Sequence, residues 1–171
     1  MPQRGMIDQI IVLVAYVQRE THMSNLLAQV AVKEIEQYAQ SFVELLESIS
    51  DEQLWSTKGN LPNSIGTLAL HLTGNLNHYF GTALLKTSYE RHRDNEFSER
   101  GVSKAQVIAD LKAAVEVAKK SVSAVTDDKI GQPYTSPDGQ TYESLGFYVV
   151  HMAAHFAMHY GQADYARHFL K

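Results

Sequence analysis

The chain has 171 residues, 44% hydrophobic and 20% charged, with a formal net charge of −4 and no cysteine. This is the make-up of one globular domain large enough for a real core. It has no basic stripe suited to nucleic acid, and it excludes disulfides, thiolate metal ligands and a cysteine nucleophile. The lack of cysteine fits a reducing compartment, so a cytoplasmic location is expected.

In chain order, residues 7–17 are apolar but too short to span a bilayer, and Gln18-Arg19-Glu20 is a poor cleavage region for a signal peptide. No membrane partner is expected. Met23 is followed by Ser24, a good N-cap, and reads as a natural start. Residues 1–22 are therefore expected to be an N-terminal extension outside the fold, and residues 23–171 one domain. The first helix is predicted over residues 24–48, where Leu27, Val30, Ile35, Tyr38, Phe42 and Leu45 recur near the helical period. A short turn of helix follows from Asp51 to Trp55. Residues 60–64 form a loop that ends in Ser64, a second cap.

The second helix is predicted over residues 64–86, with Ile65, Leu68, Leu72, Leu76 and Phe80 as its apolar stripe. Gly74 in its middle costs about 1 kcal/mol relative to alanine, which points to a close approach by another element. Residues 88–100 are charged. Arg91, Arg93, Asp94 and Glu96 there read either as an ion-pair cluster beside a site or as a solvated connection, with the second preferred. Ser103 and Gln106 form a capping box that opens a third helix to about residue 125, striped by Val107, Leu111, Ala114, Val115 and Ala118. Residues 126–140 are loop, with a turn at Pro137-Asp138-Gly139. The last helix is predicted over residues 141–170, with Leu145, Val149, Met152 and Phe156 as its stripe. No convincing strand or internal repeat is visible. The fold expected is all-α, a four-helix bundle.

The chemistry concentrates in the histidines. His155 and His159 are four residues apart, so one helix face offers two imidazole nitrogens to one metal ion. His151 stands another four before them, and the row Tyr148, His151, His155, His159 and Gln162 lies beside the apolar stripe. His71 and His78 lie on the second helix; if it packs on the last, His71 can meet His155 and His159. Three neutral imidazoles and an open position make a familiar metal site, suited to zinc, nickel, iron(II) or copper. His151 is either a ligand, a group behind the ligands or a packed histidine. His78 and His92 read as surface or partly buried residues, and His22 and His168 as solvent-facing. Asn75 and Gln162 either orient ligands or pack and cap. His151, His78 and Glu96 are the candidates for a general base.

His155-x-x-x-His159-x-Gly-Gln162 resembles the signature of the DinB/YfiT-like superfamily. Leu70-His71-Leu72-Thr73-Gly74-Asn75-Leu76 is similar to the second-helix motif of one branch, and Arg91-His92-Arg93-Asp94-Asn95-Glu96-Phe97 to the charged segment after it. The resemblance covers about residues 23–170 and does not reach residues 1–22. It implies a bundle in up-down-down-up order and a divalent metal held by His71, His155 and His159. Zinc or nickel is the expected ion, with iron or manganese as alternatives. It also implies a small-molecule substrate, a homodimer, and S-transfer with a low-molecular-weight thiol such as bacillithiol or mycothiol. A metal-dependent hydrolase and a non-catalytic metal-binding or stress-response dimer are the other readings.

Overall fold

The computed structural model describes residues 3–58 and 61–170, and the side chains within that range except those of residues 3–10 and 21. Asn60 and Lys171 lie outside the described residues, as do the side chains of Arg4, Ile7 and Ile10. Helix α1 runs Gln3–Ser48 without a break at Ser24, so the helix boundary expected there is absent. Helix α2 is the single turn Asp51–Leu54, capped by a reciprocal Ser50–Gln53 box. Helix α3, Ile65–Leu76, continues into a π-wound stretch, Asn77–Leu85, which stops at left-handed Lys86. Two short helices, α4 (Arg93–Ser98) and α6 (Asp127–Ile130), flank α5 (Lys104–Ser123), and α7 is Leu145–Arg167.

Three boundaries differ from the sequence reading for local reasons. The charged connection holds a helical turn, α4. The loop before the last helix holds α6 and a two-stranded hairpin, β1 (Tyr134–Thr135) paired antiparallel with β2 (Thr141–Tyr142) across the turn at Gly139. Because Thr141 and Tyr142 belong to that hairpin, α7 starts only after Ser144, whose side chain accepts from the Phe147 N–H. Ser103 accepts from the Gln106 N–H as a cap, but the Gln106 amide bonds Asp110, so the box is only half made.

The four long helices form an all-α bundle. α1 packs on α5 and α7, and α3 packs on the same two. The core contains Ile35, Phe42 and Leu46 from α1, Leu68, Leu72 and Leu76 from α3, Val107 and Leu111 from α5, and Val149, Met152 and Phe156 from α7. Ile35, Phe42 and Leu45 of the expected α1 stripe are buried and Tyr38 packs against the core, but towards the N-terminal end the buried face is turned by one residue. Leu27 and Val30 are exposed, while Ala28 and Ala31 are buried. The cause is the closeness of α7, whose Gly146 lies so near the Ser24 carbonyl that a Cβ would stand 2.6 Å from it. Only small side chains fit near that crossing, where Ala28 and Ala31 are buried. Ile11 to Val14, Tyr16 and Val17 are exposed on α1. Among the described residues no helix is long and apolar enough to cross a membrane.

Candidate metal centre

His71 comes from α3, and His155 and His159 from α7, which pack together. The rings of His71 and His155 have centroids 5.4 Å apart, those of His71 and His159 4.8 Å, and those of His155 and His159 4.5 Å. One nitrogen from each lies within 4.8 Å of the other two, a grouping that small ring movements would bring onto one ion. The two helices run antiparallel here, since Tyr79, eight residues after His71, meets Tyr148, seven residues before His155, at 6.3 Å.

What aims the rings is as informative as where they stand. His71 Nδ1 donates to Glu96 Oε2 at 2.9 Å, and His159 Nδ1 donates to Gln162 Oε1 at 2.8 Å. Both donations leave Nε2 with a free lone pair. His159 Nε2 faces His155 Nε2 at 3.1 Å. Two nitrogens at that separation need a proton or a cation between them. This donor set fits a divalent ion with an open coordination position.

The surroundings of His155 and His159 favour the neutral imidazole, as metal ligation requires. Burial, and then the neighbouring His159 and His71, push the His155 pKa down to about 4. Burial also lowers His159, against the opposing bond to Gln162. Glu96 is buried at 6% exposure inside the charged segment. Burial pushes its pKa up, but hydrogen bonds from His71 and Arg91 and the Arg91 charge outweigh this, so its pKa is lowered and it stays ionised. Arg91 grips it through Nε at 2.7 Å and Nη2 at 2.9 Å, and lies over the Tyr79 ring. Phe97 packs on His71, with ring centroids 5.2 Å apart.

The preference for a solvated connection over residues 88–100 is thus overturned in part: Arg91 and Glu96 are an inward ion pair, while Arg93 and Asp94 remain exposed. The signal for it lay in Gly74, because a Cβ there would land on the Glu96 carboxylate. Glu96 accepts three hydrogen bonds, one from His71 and two from Arg91, and so holds the orientation of the His71 ring. His78 is half-buried against the Tyr79 ring, with burial lowering its pKa. It shares the His71 face, but seven residues of rise, about 10.5 Å, put it out of reach. His151 is exposed and packs on Tyr142, and His22, His92 and His168 are exposed. Asn75 is buried and Gln162 bonds His159.

A cavity of about 440 Å³ reaches Glu96 by way of Thr73, Asn77 and Tyr89, but none of the three histidines lines it. Two turns along the α3–α7 seam, Tyr79, Tyr134 and Tyr142 surround Tyr148, whose hydroxyl is buried with no partner among the described residues.

The fold is shared with two crystal structures. One is a mycothiol-dependent maleylpyruvate isomerase, 10% identical at a TM-score of 0.59, with 84% of this chain and 60% of that chain covered. This chain therefore spans less than two thirds of that enzyme's length. The other is a conserved protein from Enterococcus faecalis, 17% identical at a TM-score of 0.56, covering 83% of this chain and 95% of that one. No curated protein sequence matches the chain. The family model for the DinB superfamily matches residues 34–163, and so takes in all three histidines, Gly74, Asn75 and the Arg91–Glu96 pair. The chain belongs to the DinB superfamily.

Proposed function

We propose that His71, His155 and His159 hold one divalent metal ion, zinc or nickel before iron or manganese, and that the protein uses it to transfer a low-molecular-weight thiol to an electrophilic small molecule. The observation that carries this reading is the convergence of three imidazole nitrogens on one point, two of them turned inward by Glu96 and Gln162. When bound, the ion supplies Lewis acidity, which favours the thiolate of a small thiol at neutral pH. The chain has no cysteine, so the sulfur would come from the small molecule. A mycothiol-dependent enzyme of the same fold supports the choice of a thiol over water.

The residues around the histidines have distinct tasks in this reading. Glu96 and Arg91 fix His71, and the burial that lowers His155 keeps its ring neutral and able to ligate. A hydrolase would need a base beside the ion that is free to take a proton, and Glu96, the buried carboxylate there among the described residues, already accepts three hydrogen bonds, two of them from a guanidinium. A homodimer in the cytoplasm belongs to the same proposal. An apolar groove between α1 and α7, bordered by Leu27, Val30, Val150 and Ala154, supports pairing, and light scattering on the purified protein tests it.

The test is elemental analysis of protein purified without a histidine tag, beside His155→Ala/His159→Ala. One equivalent of metal per chain, lost in the variant along with thiol transfer to an electrophile such as a maleyl or halogenated acceptor, is the expected result. Metal retained by the double variant, or none in either protein after incubation with zinc, nickel and manganese, overturns it. Metal lost with no turnover, and with a lower melting temperature, assigns a structural ion instead.

A further inference from the structure

Two of the three histidines have a visible partner on the nitrogen that points away from the convergence point: Glu96 for His71 and Gln162 for His159. His155 has none. Its Nδ1 is buried, and no group among the described residues bonds it. If His155 offers Nε2 to a metal, its proton must sit on Nδ1, which becomes a buried donor needing an acceptor. A buried donor left bare costs about 1–3 kcal/mol, so such groups nearly always find an oxygen or an ordered water.

A buried acceptor in the same position of need stands on the facing helix. Asn75 is 5% exposed, and its Oδ1 has no partner among the described residues. It lies one turn after His71 on α3, on the same side of the helix, and the His71 ring is 5.4 Å from that of His155. Since α3 and α7 run antiparallel here, that turn leads from the His71–His155 layer towards the Tyr79–Tyr148 layer. Asn75 therefore sits between them, on the side to which a helical side chain at His155 leans.

We infer that Asn75 is the positioning residue for His155, its Oδ1 accepting the His155 Nδ1 proton directly or through one water when the metal is bound. This rests on the metal reading above. It completes a pattern in which each ligand has its own orienting oxygen: a carboxylate for His71, a side-chain amide for His159 and a side-chain amide for His155. It also accounts for a buried amide oxygen that no packing argument requires, since leucine would fill the same place without a polar atom.

The experiment is zinc affinity by competition with a chelating dye, together with the melting temperature of the metal-free protein, for the wild type, Asn75→Leu, Asn75→Asp and Tyr148→Phe. Asn75→Leu is expected to weaken zinc binding about 10–100-fold while leaving the metal-free protein as stable as before, and Asn75→Asp, which keeps the oxygen, to bind within threefold of wild type or tighter. In the zinc-loaded wild type, nitrogen-correlated proton NMR should show a slowly exchanging His155 Nδ1–H that shifts in Asn75→Asp. Zinc bound equally well by wild type and Asn75→Leu overturns the inference alone, and so does a loss confined to Tyr148→Phe, which moves the acceptor there. No zinc bound by the wild type overturns the metal reading beneath it. If Asn75→Leu does not fold, the aspartate variant decides: a tenfold weaker site, or an unshifted Nδ1–H, refutes the role of Asn75.

Discussion

The two ends of the α3–α7 seam treat buried polar atoms in opposite ways. At the histidine end, a carboxylate is taken out of water and receives three hydrogen bonds, two of them from a guanidinium that is itself only 10% exposed at its side chain. At the tyrosine end, three aromatic rings pack around Tyr148, whose hydroxyl bonds nothing among the described residues. The difference teaches that burial alone does not mark chemistry. What marks it is a charge that is both desolvated and fully paired, because such a charge persists only where several elements assemble its partners. Here α4 and the segment before it supply those partners to α3.

The largest effect that would break this comparison is at Glu96. Glu96→Ala leaves Arg91 without its counter-charge, and metal-free protein should lose roughly 3–5 kcal/mol of stability, a melting temperature lower by roughly 6–20 °C. A drop under 2 °C in calorimetry would mean that the pair is better solvated than its burial says. Next in size, Gly74→Ala drives a methyl group into the same carboxylate and should cost about 1–3 kcal/mol. Gly161→Ala is its control on α7, where a Cβ meets nothing within 4 Å, and should gain up to about 1 kcal/mol in denaturant unfolding. Equal effects from the two would show that α3 and α4 are not in close contact.

The pH dependence sharpens the contrast further. His155 titrates at about 4 in the folded protein against an ordinary 6.5, so below 6.5 the unfolded chain takes up a proton that the folded one refuses. Metal-free protein should therefore lose stability as the pH falls from 6.5 towards 4, with no contribution from this group above that window. His159 acts in the same direction. Glu96, whose pKa is lowered, adds its own loss only below its ordinary 4.5. Thermal melts of wild type and His155→Asn across this range should diverge in slope, and parallel curves would refute the burial of a neutral ring. The smallest effect is at the other end: Tyr148→Phe should be neutral or stabilising by about 1 kcal/mol in the same melts, and a clear loss would mean that the hydroxyl has a partner after all.

Much of this was legible from local pattern. The helices of the bundle, the Ser64 and Ser103 caps and the inward row of His155 and His159 follow from spacing and from short-range hydrogen bonding, which depend on neighbours a few residues away. Gly74 was legible as a close approach, although not as an approach by Glu96. On α1, Ile35, Phe42 and Leu45 were read correctly, but Leu27 and Val30 were misplaced by one residue because both Leu27 and Ala28 fit the helical period, and only the nearness of α7 selects the alanines.

By itself, then, the amino-acid order determined the elements that local physics can specify: helix periods, caps, and the two imidazoles set one turn apart on one helix. The tertiary structure alone decided that Ala28 and Ala31 rather than Leu27 and Val30 face inward on α1, that His71 joins the pair while His78 and His151 do not, and that Glu96 turns inward with Arg91. Those outcomes depend on contacts far apart in the chain, 25 positions for His71 with Glu96, 88 for His71 with His159 and 122 for Ser24 with Gly146, set by the packing of α7 on α1 and α3 and by the reach of α4. No spacing along the chain encodes them.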